Sequence, residues 1–213
     1  MPFEYEIDPV RIEQESFRQI RALCDLSCFS HEEAQVAMRI VHSLGMPQLA
    51  GQVRFSDQAC QAGIDALKGG CDILCDVEMV KQGVTKRMIE RAPLCFLNHE
   101  NTACRAKSLG ETRSMAALEQ WRPYLKNSVV LIGNAPTALF RLLEMLQQGA
   151  DKPALVVGMP VGFVGAAESK AALWAEHQRL GLECITLLGR EGGSAVTAAT
   201  CNALLRCIRG EYY

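Results

Sequence analysis

Three glycine-rich segments, each of which follows a short apolar run, are the parts of this sequence best suited to bind a ligand. They span residues 133–135, 158–165 and 189–194, and each continues into an amphipathic stretch. A junction of this kind between a strand and a helix exposes backbone N–H groups at the positive end of a helix dipole, which favours anions. Glycine also lets the backbone approach a large flat ligand closely. Tight turns that bind nothing would explain the glycines equally well.

The spacing of these glycines does not match the common nucleotide-binding loops. No segment has the pattern G-x-G-x-x-G, and none has G-x-x-x-x-G-K-[ST]. A flavodoxin-like electron carrier would need a phosphate-binding loop rich in serine and threonine after its first strand, but the acidic residue Asp76 occupies that place. Asp76 could cap a helix or contact a ligand, and its position favours the cap.

His42 is a candidate proton donor. It lies near the end of a predicted helix, one position away from the apolar stripe of that helix. Its ordinary pKa suits proton transfer near neutral pH. A histidine in such a position is nevertheless more often structural than catalytic, so its context alone favours the structural role.

Three basic side chains could supply positive charge to an anionic ligand. Arg113 follows Thr112 at the predicted start of a helix, where a positive charge is unfavourable unless an anion lies nearby. An exposed arginine without a ligand fits that position equally well. Arg190 lies within the third glycine-rich segment, and Lys170 follows the second.

Composition narrows the class of protein. Nearly half of the residues are apolar, 22% are charged and the net charge is −2, which does not indicate a nucleic-acid binder. No apolar run reaches the roughly 20 residues that span a bilayer, and the acidic N-terminus does not resemble a signal peptide. The ten cysteines lie mostly in apolar runs and lack the C-x-x-C spacing of zinc ribbons. We therefore expect buried, reduced thiols, no metal site and a cytoplasmic location.

The hydrophobic pattern predicts an α/β fold in one domain that spans residues 1–213. Residues 1–70 are mostly helical, with helices at 11–24 and 31–45 and a third that begins at Phe55-Ser56. The predicted strands that follow are 71–75, 93–97, 128–132, 153–157 and 183–188. The predicted helices between and after them are 77–82, 113–126, 136–148, 167–179 and 194–208. This alternation is typical of a parallel sheet with helices on both faces, which places the three glycine-rich segments together at its carboxyl edge.

These segments resemble the precorrin-8X methylmutase family, which includes the cobalt-precorrin-8 methylmutases. The resemblance covers about residues 8–206, and its most specific part is G-x-P-V-G-F-V-G-A-A-E-S-K at 158–170. It also includes the following shorter segments: 12–17, 39–42, 55–56, 76–80, 112–114, 133–139 and 189–194. The family resemblance implies a three-layer α/β/α fold with a mostly parallel sheet of about five strands and a homodimer.

The resemblance further implies an isomerase of cobalamin biosynthesis. Its substrate would be a tetrapyrrole, in which a methyl group moves from carbon 11 to carbon 12 to give hydrogenobyrinic acid, or cobyrinic acid when cobalt is present. Such a shift needs no redox cofactor and no catalytic metal. The cysteine content and the amino-acid sequence of residues 112–117 favour the cobalt-containing substrate slightly. The alternative is a carrier that binds a corrinoid without converting it, which a turnover measurement would separate from an enzyme.

The resemblance also assigns the site residues, with His42 as the general acid. The implied substrate-binding residues are Ser16, Arg39, Asp76, Thr112, Arg113, Asn134, Gly162, Gly165, Arg190, Gly193 and Ser194. The chain departs from the family at residues 43–51, where an acidic and aromatic stretch is usual. This departure leaves the group that orients the imidazole of His42 unidentified.

Overall fold

A five-stranded sheet forms the centre of the structure, a computed structural model that describes residues 3–213. Its strands are β1 (Val53–Phe55), β2 (Ile73–Cys75), β3 (Val129–Ile132), β4 (Leu155–Gly158) and β5 (Cys184–Leu187). Their spatial order is β1-β5-β4-β3-β2, in which β2 to β5 are parallel and β1 is antiparallel to β5 at one edge. The predicted α/β class with a mostly parallel sheet of about five strands is confirmed.

The helices follow the strands closely. They are α1 (Pro9–Leu23), α2 (His31–Leu44), α3 (Ala59–Lys68), α4 (Glu78–Gly83), α5 (Glu100–Leu109), α6 (Arg113–Leu118), α7 (Pro136–Gln147), α8 (Ala166–Leu180) and α9 (Ser194–Ile208). Short 3-10 helices occupy Pro47–Gln52, Lys86–Met88 and Glu119–Tyr124. No helix within residues 3–213 is long and apolar enough to cross a membrane.

Helices cover both faces of the sheet, so the structure has three layers. Helices α2, α3, α4 and α9 pack on one face, where Leu131 and Val157 point. Helices α6, α7 and α8 pack on the other face, where Val130 and Val156 point. All residues of β3 are buried, as expected for a parallel strand covered on both sides.

Two sequence predictions of local structure are wrong. Residues 93–97 form no strand, because only Leu94 pairs with the sheet, through a single bridge to Leu74. Phe55 ends strand β1 instead of beginning a helix, and the Ser56 hydroxyl accepts a hydrogen bond from the Cys184 N–H instead of capping α3. Both errors concern three to five residues, which is too short for a period to be visible. Contacts with distant parts of the sheet determine the structure of both segments.

The N-terminal helices are strongly specified by their ends. Asp8 caps α1, and Ser30 with Glu33 forms a capping box at the start of α2. Gly45 closes α2 in the left-handed conformation, with φ +66°. Helix α2 packs along α9 and α1 packs on α2, so the fold places His42 in the last turn of a well-anchored helix.

Candidate active site

The three glycine-rich segments meet at the carboxyl edge of the sheet. We call residues 133–135 the first loop, 159–165 the second loop and 188–193 the third loop. The Gly193 N–H donates to the Met159 carbonyl at 2.8 Å, and the Gly162 N–H donates to the Arg190 carbonyl at 3.2 Å. These two bonds join the second and third loops into one unit.

A buried lysine adds a third connection between these two loops. Lys170 lies in the second turn of α8, is fully buried and donates from Nζ to the Glu191 carbonyl at 2.5 Å. Burial lowers the pKa of Lys170 to about 8, while the nearby Glu191 carboxylate opposes this shift. Lys170 therefore orients the backbone of the third loop from below instead of facing a ligand directly.

Close backbone approach explains the glycine at position 192. Its φ is +156°, and a Cβ added there would overlap the carbonyl oxygen of Met159. Gly133 has a similar role, because a Cβ there would lie 2.9 Å from the Ser194 Cα. The first loop and the start of α9 are thus in direct contact, which brings Asn134 and Ser194 to the same edge.

The carboxylate of Asp76 accepts hydrogen bonds from all three backbone N–H groups of the first loop. Its oxygens accept hydrogen bonds from the N–H groups of Gly133 at 3.1 Å, Asn134 at 2.8 Å and Ala135 at 2.9 Å. The residue is 1% exposed. Burial raises the pKa of the Asp76 carboxyl, and the three N–H donors oppose that shift. Asp76 therefore contacts the backbone after the neighbouring strand β3, and it does not cap α4, which directly follows it.

The second and third loops have no such internal anion. Helix α8 begins after Gly165 and α9 begins after Gly193, and neither has a side-chain cap. The first N–H groups of a helix lack intrahelical partners, so these two helix starts can still accept an anion. Arg190 is exposed, and its guanidinium lies 5.8 Å from the centre of the Phe163 ring. This edge therefore offers N–H donors, a cation and an aromatic face.

Thr112 and Arg113 border the first loop. The Thr112 hydroxyl caps α6 by accepting from the Met115 N–H at 3.2 Å, and it meets the Thr137 hydroxyl at 2.9 Å in the first turn of α7. Arg113 donates from Nη2 to the Leu97 carbonyl at 3.0 Å. Both residues are exposed, so the rest of the guanidinium is open to a ligand.

The remaining predicted residues lie on α1 and α2, which we call the helical pair. The Ser16 hydroxyl donates to the Ile12 carbonyl of its own helix at 2.8 Å. The Arg39 guanidinium lies 5.2 Å from the centre of the Phe17 ring and 3.5 Å from Glu13. The partly exposed imidazole of His42 stacks on Phe17, with ring centres 5.0 Å apart and planes 13° apart.

The environment of His42 favours its neutral form in the ligand-free protein. Partial burial lowers the pKa of His42 below its ordinary value, and the charge of Arg39 lowers it further. The Glu13 carboxylate acts in the opposite direction. An anionic ligand beside the ring would raise this pKa and favour the protonated acid.

The predicted site residues thus form two groups. In the region that the structure describes, no hydrogen bond, ion pair or ring contact joins the helical pair to the three loops. Helix α9 connects them indirectly, since it begins at the third loop and packs along α2. Among residues 3–213, no group of three or more His, Cys, Asp and Glu side chains could hold a metal ion.

Sequence reasoning missed Tyr213, whose ring stacks on Phe17 with centres 3.6 Å apart. No local pattern signals this contact, because 195 residues separate the two positions along the chain. Lys170 was identified only as a possible counter-charge, and its burial beneath the third loop has no signature in the sequence.

Comparison with known proteins gives a consistent picture. The family model described as precorrin-8X methylmutase matches residues 11–207. A precorrin-8X methylmutase from Sinorhizobium sp. is 50% identical over 206 residues, which are 96% of this chain and 97% of that protein. A cobalt-precorrin-8 methylmutase from Priestia megaterium is 35% identical over 201 residues, which are 93% of this chain and 88% of that protein. The crystal structure of the precorrin-8X methylmutase from Thermus thermophilus superimposes with a TM-score of 0.85 at 35% identity, covering 96% and 98% of the two chains.

Proposed function

This chain belongs to the precorrin-8X methylmutase family, and on that premise we propose that it moves the methyl group from carbon 11 to carbon 12 of its substrate with His42 as general acid. It is an isomerase of cobalamin biosynthesis that acts on a tetrapyrrole. The observation that carries the proposed site is the open pair of helix starts at α8 and α9 beside Arg190 and Phe163. A flat ring with several carboxylates matches such a surface.

Binding of this substrate combines charge with close contact. Its carboxylates would accept hydrogen bonds from the N–H groups of α8 and α9, and from Ser194. The guanidinium groups of Arg190 and Arg113 suit bidentate contacts with carboxylates. Gly162, Gly165 and Gly193 let the backbone lie against the plane of the ring. The N–H groups of the first loop are not part of this set, because Asp76 already occupies them.

The reaction is an intramolecular shift, so the residues have two tasks. They hold the ring in the reactive geometry, and they place one proton. Protonation of the macrocycle by His42 draws electron density from the conjugated system, and a positioned acid contributes about 10²- to 10⁴-fold to the rate. Substrate carboxylates near Arg39 and Ser16 would raise the pKa of His42 and so supply the protonated imidazole when substrate is bound.

The metal-free precorrin is the substrate that we propose, against the slight preference drawn from the sequence. The identity to the Sinorhizobium relative is higher than the identity to the Priestia relative, and only the name of the latter specifies cobalt. A cytoplasmic location is part of the proposal and is supported by the cysteines, all of which are free thiols in the described region. The single-domain organisation stays a prediction.

We also propose that the enzyme is a homodimer. The N-terminal segment exposes Phe3, Tyr5 and Ile7, and the second loop exposes Phe163 and Val164. Exposed apolar surface of this kind marks an interaction site. A second copy would cover it and could bring its helical pair against the loops, which do not contact that pair within one chain. Size-exclusion chromatography with light scattering would give twice the chain mass, and a monomer at micromolar concentration would contradict the proposal.

Turnover under anaerobic conditions tests the function. The protein is mixed with precorrin-8, with and without cobalt, and visible spectra are recorded, because the methyl shift changes the conjugation of the ring. We expect faster conversion of the metal-free substrate. Faster conversion of the cobalt form would overturn that choice alone. Binding of both without conversion would identify the alternative, a corrinoid carrier.

A further inference from the structure

Three aromatic rings form a continuous stack that ends at His42. The Tyr213 ring lies 3.6 Å from the Phe17 ring with planes 11° apart, and the Phe17 ring lies 5.0 Å from the His42 ring with planes 13° apart. Phe17 belongs to α1, His42 to α2, and Tyr213 to the segment that follows α9. The stack therefore joins three parts of the chain at the imidazole.

In the part of the chain that the structure describes, Phe17 is the one aromatic ring that stacks on the imidazole of His42. Within residues 3–213, neither ring nitrogen of His42 takes part in a hydrogen bond. A histidine that transfers protons is ordinarily oriented by a hydrogen bond to its second nitrogen. Here the stacking face of Phe17 is the contact that sets the ring plane.

Tyr213 is held in place from several sides. Its main-chain N–H donates to the Gln35 side chain at 2.7 Å. The guanidinium groups of Arg39 and Arg206 lie 4.6 and 4.5 Å from the centre of its ring, within cation–π distance. Glu13 lies between the two arginines, 3.5 Å from Arg39 and 3.4 Å from Arg206. The ring is therefore fixed by α1, α2 and α9 together.

We propose that the Tyr213 ring, acting through Phe17, orients the imidazole of His42 for proton transfer, which makes Tyr213 a positioning residue for the reaction. The proposal rests on the function of His42 as acid given above. The ring carries this role without its hydroxyl, because the buried phenol oxygen makes no hydrogen bond to His42 in residues 3–213. A phenylalanine at position 213 should therefore serve as well as tyrosine.

The test compares Tyr213→Ala with Tyr213→Phe in the full-length enzyme. Small misplacement of a reacting group lowers rates by up to about 100-fold, so we expect kcat of Tyr213→Ala to fall about 10- to 100-fold with little change in KM. Tyr213→Phe should retain the wild-type kcat. Tyr212→Ala is the matched control, since the Tyr212 ring contacts His31 at the other end of α2. That variant should retain the wild-type kcat as well.

The pH profile of kcat/KM separates positioning from a merely structural role. The charged groups that act on His42 are Glu13 on α1 and Arg39 on α2, and Arg206 on α9 pairs with the same Glu13. Loss of the Tyr213 ring admits water while these charges remain, so the pKa of His42 should rise towards its ordinary value. Because the acid acts in its protonated form, and kcat/KM reports the pKa of the free enzyme, the fall of kcat/KM at high pH should move to higher pH in Tyr213→Ala. A folding defect would lower the active fraction without moving this midpoint.

Two results would overturn the proposal. One is a wild-type kcat for Tyr213→Ala. The other is a low kcat that Tyr213→Phe shares, which would assign the effect to the hydroxyl. Thermal melting of each variant identifies loss of fold. Tyr213→Leu keeps apolar bulk without the ring, so it should fold normally and still have a low kcat. If His42 is not the acid, the result looks different, because His42→Ala would then convert the substrate at the wild-type rate.

Discussion

The first loop and the joined second and third loops share a glycine-rich sequence and the same edge of the sheet, yet they differ in what satisfies their backbone. Asp76 supplies an anion from within the protein to three N–H groups of the first loop. The starts of α8 and α9 have no side-chain cap. A glycine-rich loop therefore indicates an anion site only where the protein does not already provide the anion.

Removal of the internal anion should have the largest effect. Asp76→Ala leaves three buried N–H groups without acceptors, so we expect the free energy of unfolding to fall by about 3 to 5 kcal/mol. Urea denaturation measures this loss. Asp72→Ala is the matched control at the start of the same strand, where a partly exposed pair with Arg91 contributes at most about 1 kcal/mol. An Asp76→Ala protein of normal stability with a raised KM would instead place this carboxylate against substrate.

A methyl group at position 192 should separate the joined loops. In Gly192→Ala the Cβ overlaps the Met159 carbonyl, so the third loop must move or unfold. We expect a loss of about 2 to 3 kcal/mol in stability, together with a higher KM. Gly110→Ala has a positive φ of +64° and no neighbour within 4 Å, so it measures the cost of a left-handed backbone without a close contact. Equal losses in the two variants would argue against close contact of the loops.

A substitution of Arg190 tests whether the joined second and third loops bind an anion, and it should not affect the fold. The side chain is exposed, so Arg190→Ala should keep normal stability. Loss of a charge-assisted contact to a substrate carboxylate should raise KM about 10- to 30-fold, and Arg190→Lys should restore only part of this. Steady-state kinetics measure both. Arg179→Ala, which removes an exposed arginine at the far end of α8, should leave KM unchanged.

The smallest effect should come from the lysine beneath the third loop. The pKa of Lys170 is about 8 in the folded protein and 10.5 in the unfolded chain, so between these values the unfolded state binds more protons. Its contribution to stability therefore rises with pH, by about 1 kcal/mol per pH unit from pH 8 to 10. The difference in unfolding free energy between wild type and Lys170→Met isolates this trend from the titration of cysteines. A difference that does not vary with pH would mean that the pKa of Lys170 is the same in the folded and unfolded states.

Periodicity and end signals made most of the fold predictable. Long helices with strong caps, such as α2 with its Ser30 and Glu33 box, were predicted almost to the residue. Strand β1 was missed because three residues show no period and its partner β5 lies about 130 positions away. The polar helix α5 was missed because its apolar stripe is weak.

The site was predictable as residue types but not as contacts. The resemblance implies that Asp76 contacts substrate, which stays a prediction. The hydrogen bonds of its carboxylate to backbone N–H groups after β3 are revealed by no spacing along the chain. The same holds for Tyr213, which reaches Phe17 only when α9 returns to α1. The local sequence indicates which residue types could bind or react, and tertiary packing determines which of them already have partners within the protein.

Single-turnover conversion by His42→Ala tests the central claim most directly. The variant is mixed anaerobically with metal-free precorrin-8 in excess of its Kd, beside wild type and His31→Ala, an exposed histidine at the opposite end of α2. We predict that His42→Ala binds the substrate as tightly as wild type and converts it at least about 100-fold more slowly, while His31→Ala converts it normally. Conversion by His42→Ala at the wild-type rate would contradict the assignment of the acid.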